Sequence, residues 1–153
     1  MKPIALTICL VIACFSMAPA QSADPVTTAK SEIEATFGKV PILFSKVPEA
    51  ALPGFWAHFK SVNDPNSVIP AKYRELMQLA VASQIPCDYC VFFHIESAKA
   101  YGATEKEIKE TVYNAAATRS WSTLMYGNQI DMEAFKKEMK EMMAYMAKQS
   151  GKK

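Results

Sequence analysis

Beyond residue 24 the apolar positions recur every three or four residues, with polar residues between them. That period predicts helices, and no alternating strand pattern or Asn-Gly hairpin turn interrupts it. Residues 27–37 (TTAKSEIEATF) form a first expected helix, stopped by Gly38. Residues 40–48 are a short apolar connector punctuated by Pro41 and Pro48. Residues 49–62 read as a helix with an irregular start at Pro53-Gly54, and residues 63–70 as a turn-rich loop. Residues 71–84 and 87–101 are two strong helical stretches, the second ended at Gly102. Thr104 with Glu107 is a capping-box pattern opening a helix over 105–121. Asp131 caps a last helix from Met132 to about Lys148. The expected fold class is all-α.

Pro86 suits the first turn of a helix and ends the helix before it. Residues 72–84 and 86–101 should therefore form an antiparallel helical hairpin. The hairpin carries the most informative stretch, IPCDYCVFFHIE, residues 85–96. With a rise of about 1.5 Å per residue, Glu75 lies roughly 15 Å before the break and His94 roughly 13 Å after it. The two are thus nearly level. Glu75 shares a helix face with Leu79 and Ala82, which turns it inward. Cys90 and His94, spaced i, i+4, share a face, and Cys87 lies one turn earlier on that side. With the arms closely packed, a carboxylate, an imidazole and two thiols are expected to converge on one seam.

Composition narrows the class. The chain has 153 residues, half of them hydrophobic, and a net charge of +2. That suits one globular domain, and with no basic stripe it argues against nucleic acid as a partner. The N-terminus reads as a signal peptide over residues 1–20, with cleavage possible as late as residue 23, leaving residues 24–153 as the domain. The expected location is outside the cytoplasm, in the periplasm. Two alternatives are lipidation at Cys14, in the box VIAC, and an uncleaved anchor over the uncharged residues 3–20, which Ser16 and Pro19 weaken. Ordinary cleavage removes Cys9 and Cys14 and leaves Cys87 and Cys90. A bridge between them closes a tiny loop and adds little stability, so the pair suits redox chemistry or metal binding better than a structural role.

The chemistry needs these residue types. A thiolate attacks a peroxide or a disulfide, and His94 can take the proton from Cys90 or stabilise its thiolate. Glu75 can orient the histidine or relay protons. Once Cys90 is a sulfenic acid, Cys87 is near enough to condense with it. The helix N-terminus favours a thiolate at Cys87 and the histidine favours one at Cys90, so spacing leaves the attacking cysteine open. Bland readings stand beside these. Glu75 can be a surface residue ion-paired with Lys72 or Arg74, Val91-Phe92-Phe93 is read as core, and His58 as structural. The stripe Met139, Met142, Met143 and Met146 is a packing or oligomer face, with copper binding a minor alternative.

Glu75, eleven residues, Cys87-Asp88-Tyr89-Cys90, three residues and His94 resemble the E-x(11)-C-x(2)-C-x(3)-H signature of AhpD-like alkylhydroperoxidases, of the carboxymuconolactone decarboxylase superfamily. The resemblance runs from about Phe37 to Asn128. It implies an all-helical fold, homo-oligomers (trimers or hexamers), and reduction of a hydroperoxide substrate with no cofactor beyond the cysteine pair. It further implies Cys90 as peroxidatic, Cys87 as resolving, and His94 with Glu75 as the proton relay. Tyr89 stands where some members carry a relay histidine, and Ile85-Pro86 replaces small or polar residues. Decarboxylation is disfavoured, because decarboxylases of the superfamily generally lack the cysteine pair. An exported member needs a dithiol reductant that the sequence does not identify. Three alternatives remain: a disulfide oxidoreductase acting on thiol partners, a metal-binding protein using Cys87, Cys90 and His94, and a helical assembly module with an inert disulfide.

Overall fold

The computed structural model describes residues 23–85 and 87–151. The expected signal peptide, Cys14, the first-turn role of Pro86 and the last two lysines lie outside those residues. The described residues hold seven α-helices and one 3-10 turn and no strand, as expected of an all-α chain. No helix among them is long and apolar enough to cross a membrane. The chain divides into two compact units, one ending at Val62 and the other beginning at Asn63.

The first unit holds α1 (Pro25–Phe37), α2 (Ile42–Ser45), the 3-10 turn Glu49–Ala51 and α3 (Leu52–Val62). Asp24 caps α1 by accepting the Thr27 N–H at 2.9 Å, so the helix starts two residues before the expected position. Gly38 ends it in the left-handed conformation, φ 75°. The connector expected over 40–48 is partly helical. Phe44 drives this, being buried with Ala29, Ile33, Leu52 and Trp56, and one helical turn points it there. The irregular start of α3 is the 3-10 turn, and Pro53 sits in the first turn of α3, where a missing N–H is harmless.

The second unit holds α4 (Ala71–Ala82), α5 (Asp88–Ala100), α6 (Glu105–Gly127) and α7 (Met132–Ser150). α4 packs on α5 and α6 around Leu76, Leu79, Ala98, Ala103 and Ile108. Leu79 is fully buried, and truncating such a side chain to alanine costs about 2–5 kcal/mol. Arg74 does not pair with Glu75. Its Nη1 donates to the carbonyls of Asp64 and Ile69, tying the 63–70 loop to α4. α5 ends in a Schellman turn: Ala103 N–H reaches the Ala98 carbonyl at 2.9 Å and Gly102 takes φ 83°. The Thr104–Glu107 capping box is complete, and Lys72 Nζ adds an ion pair to Glu107 at 2.8 Å, joining α4 to the start of α6. α6 runs six residues past the expected end at Trp121, because Ser122–Gly127 contains no proline or earlier glycine to stop it. Asp131 caps α7 through the Ala134 N–H at 2.7 Å.

Candidate functional site

The site is built by the α4–α5 hairpin. Cys87 is the N-cap residue of α5, and Cys90 sits in its first turn. A disulfide joins them, with Cα atoms 5.3 Å apart. Cys87 Sγ also accepts the Cys90 backbone N–H at 3.2 Å, so a sulfur rather than an oxygen caps the helix. A cap needs an acceptor facing the free N–H groups of the first turn, and this geometry lends the helix dipole to Cys87. Both cysteines are half-buried.

One turn on, His94 faces α4. Its Nδ1 lies 2.7 Å from Glu75 Oε2, and the two side chains are only 15% and 4% exposed. Glu75 is the single charged residue in the buried core of the described chain. A carboxylate in such a place is costly unless a partner satisfies it, and His94 is that partner. An ionised carboxylate can only accept, so with Glu75 ionised Nδ1 carries the hydrogen and Nε2 is the nitrogen able to accept a proton. The inward Glu75 and its level pairing with His94 follow the hairpin geometry expected from spacing. The surface reading of Glu75 is replaced by this buried pair, and the cation beside it, Lys72, is engaged with Glu107.

Two sequence expectations are corrected here. Phe92 and Phe93 are not core: they are 70% and 42% exposed. α5 presents Val91, Ile95 and Ala98 to α4 and α6, and at 3.6 residues per turn the two phenylalanines fall off that face. Phe93 instead lies edge-on to the His94 ring, centroids 5.3 Å apart. Tyr89, between the cysteines, is 89% exposed, so an aromatic rim of Tyr89, Phe92 and Phe93 lies on the hairpin that carries the disulfide. Periodicity marked these positions as apolar without showing which way they point. The other histidine, His58, is exposed on α3 and takes no part in the core of its unit, where a structural role was expected. Among the described residues no group of three or more His, Cys, Asp or Glu side chains is spaced to hold a metal ion.

Comparison with known proteins agrees with an all-helical chain. The carboxymuconolactone decarboxylase family profile matches residues 50–130, which include the whole of α4 and α5, and the chain belongs to that family. An uncharacterised protein of Cupriavidus necator is 32% identical over 85 residues, covering 56% of this chain and 71% of the relative. The family includes both decarboxylases and alkylhydroperoxidases.

Proposed function

We propose that the protein is a thiol-dependent peroxidase of the alkylhydroperoxidase kind, cycling Cys87 and Cys90 between dithiol and disulfide. The observation that carries this is the buried Glu75–His94 pair beside a cysteine pair able to form a disulfide at a helix N-terminus. A core carboxylate held only to orient an imidazole has little structural use there, since an apolar pair would fill the space at no desolvation cost.

In the forward step the Cys90 thiolate attacks the terminal oxygen of a hydroperoxide. The O–O bond breaks, Cys90 becomes a sulfenic acid, and the departing alkoxide takes a proton and leaves as the alcohol. His94, oriented by Glu75, supplies that proton from the one it removed from the thiol. Cys87, its thiolate favoured by the helix N-terminus, then attacks the Cys90 sulfur and releases water. The balance is two thiols and a hydroperoxide giving a disulfide, an alcohol and water. An external dithiol returns two electrons by thiol–disulfide exchange. Cys90 as first attacker rests on the family resemblance and on its place one turn before His94.

The protein is further read as exported and periplasmic, on the strength of residues 1–20, and as a homo-oligomer, as the resemblance implies. A second reading, disulfide exchange with a protein thiol, draws on the exposed Tyr89 and Phe92, which suit docking of a protein surface next to the bridge. The two separate in one experiment. Cys87→Ser treated with cumene hydroperoxide and a sulfenic-acid trap is expected to carry the adduct at Cys90. No adduct, together with fast exchange with added dithiols, would favour the second reading.

A further inference from the structure

The helix α7 carries Met139, Met142, Met143 and Met146 within little more than two turns. None of the 19 residues of α7 is buried. Met142, Met143 and Met146 are 45%, 55% and 56% exposed, and Met139 is half-buried. Spacings of three, four and seven residues put the four side chains on one helix face, within an arc of about 100°. At that period no lysine or glutamate of α7 projects into the arc. The choice of residue is as telling as the spacing. α7 contains no leucine, isoleucine or valine. Leucine forms helices as well as methionine does and packs in better-defined rotamers, so a face made only for packing has no need of four methionines. What methionine has and leucine lacks is a thioether sulfur.

We propose that Met139, Met142, Met143 and Met146 form a binding site for a cuprous ion, which three of the four sulfurs hold at a time. The donor set selects the metal. Thioethers are soft ligands, and soft ligands favour Cu(I) over the harder divalent ions. They are also neutral, so they offset little of the hydration that a divalent cation would lose. The spacing serves the same end. Side chains three and four apart on a helix have Cβ atoms about 5–6 Å from one another, and the three rotatable bonds of methionine let neighbouring sulfurs turn to one point between them. Because the face is open, an ion can reach it without any helix moving. The ion binds and leaves as Cu(I), and no proton is displaced, since a thioether carries none. The site stands apart from the redox reading, because no cysteine or relay residue takes part in it.

Anaerobic titration of the purified full chain with Cu(I), supplied as its acetonitrile complex against the chromophoric chelator bicinchoninate, tests it. Cys87 and Cys90 are kept as the disulfide and any free thiol is alkylated, so that no thiolate competes. The wild type is expected to take up a single equivalent saturably, with X-ray absorption showing sulfur alone around the metal. The variant Met139→Leu/Met142→Leu/Met143→Leu/Met146→Leu keeps the face apolar and helix-forming and removes only its sulfur. It should lose that uptake while keeping the helicity of the wild type. Met132→Leu, one helical turn before Phe135 and outside the cluster, should bind as the wild type does. Should the fourfold variant lose helicity, the pairs Met139→Leu/Met142→Leu and Met143→Leu/Met146→Leu carry the test, and each must weaken uptake. A wild type without saturable uptake, leucine variants that still bind as the wild type does, or nitrogen and oxygen neighbours around the metal would each overturn the site.

Discussion

Glu75 Oε2 lies 2.7 Å from His94 Nδ1, across the two arms of one helical hairpin and almost out of reach of solvent. The pair fixes one ring nitrogen of the histidine and leaves the other as its basic atom. Its value is therefore directional, and a substitution that keeps shape while removing charge should show this. Glu75→Gln is expected to retain the fold and slow peroxide-driven thiol loss by about tenfold to hundredfold, with a changed pH profile. Stopped-flow rates from pH 5 to 9 would check it; an unchanged profile would make Glu75 a packing residue only. Glu75→Ala should also destabilise by about 1–3 kcal/mol, by leaving the His94 Nδ1 group buried without its partner.

The disulfide should contribute little to stability. Cys87 and Cys90 close a loop with a sequence separation of 3, for which loop-closure entropy supplies at most about 2 kcal/mol. Urea unfolding with and without reductant is expected to differ by no more than that. A much larger loss on reduction would mark the bridge as structural and count against a working redox couple.

Acid should act through Glu107 as well. The Lys72 ammonium, helped by the Thr104 backbone and hydroxyl, holds the Glu107 carboxyl at about 2, well below its ordinary 4.5. A lowered folded value means the contribution is complete above about 4.5 and is lost as the pH falls from there toward about 2. Melting midpoints of wild type should drop across that window, and Glu107→Gln should flatten that part of the curve. At neutral pH, Thr104→Ala should cost about 1 kcal/mol by removing the cap of α6. Equal pH profiles for wild type and Glu107→Gln would contradict the coupling.

The hairpin was readable from the chain because its determinants are local. Pro86 and the turn before it break the pattern, the rise per residue sets Glu75 level with His94, and the face shared with Leu79 and Ala82 turns Glu75 inward. The caps at Thr104 and Asp131 were readable for the same reason. What was not readable is the choice of face on helices that are apolar nearly all round. In Cys90–Ile95 the run Cys-Val-Phe-Phe-His-Ile has no charged side chain to mark the solvent side, and its histidine goes inward to Glu75, so only packing decides that Val91 and Ile95 go inward and Phe92 goes out. The turn of helix at Ile42–Ser45 was hidden likewise, since it exists to bury Phe44. The end of α6 is not legible either, since nothing after Trp121 speaks for or against a helix except the absence of a breaker before Gly127.

The most direct test of the central claim is the rate at which the fully reduced protein loses thiols to excess cumene hydroperoxide, in wild type and in Cys90→Ser. The account predicts rapid loss of both thiols in wild type, ending in the Cys87–Cys90 disulfide, and a fall in Cys90→Ser to the rate of a free cysteine in solution. A Cys90→Ser protein that still reacts at the wild-type rate, or a wild type no faster than free cysteine, would contradict it.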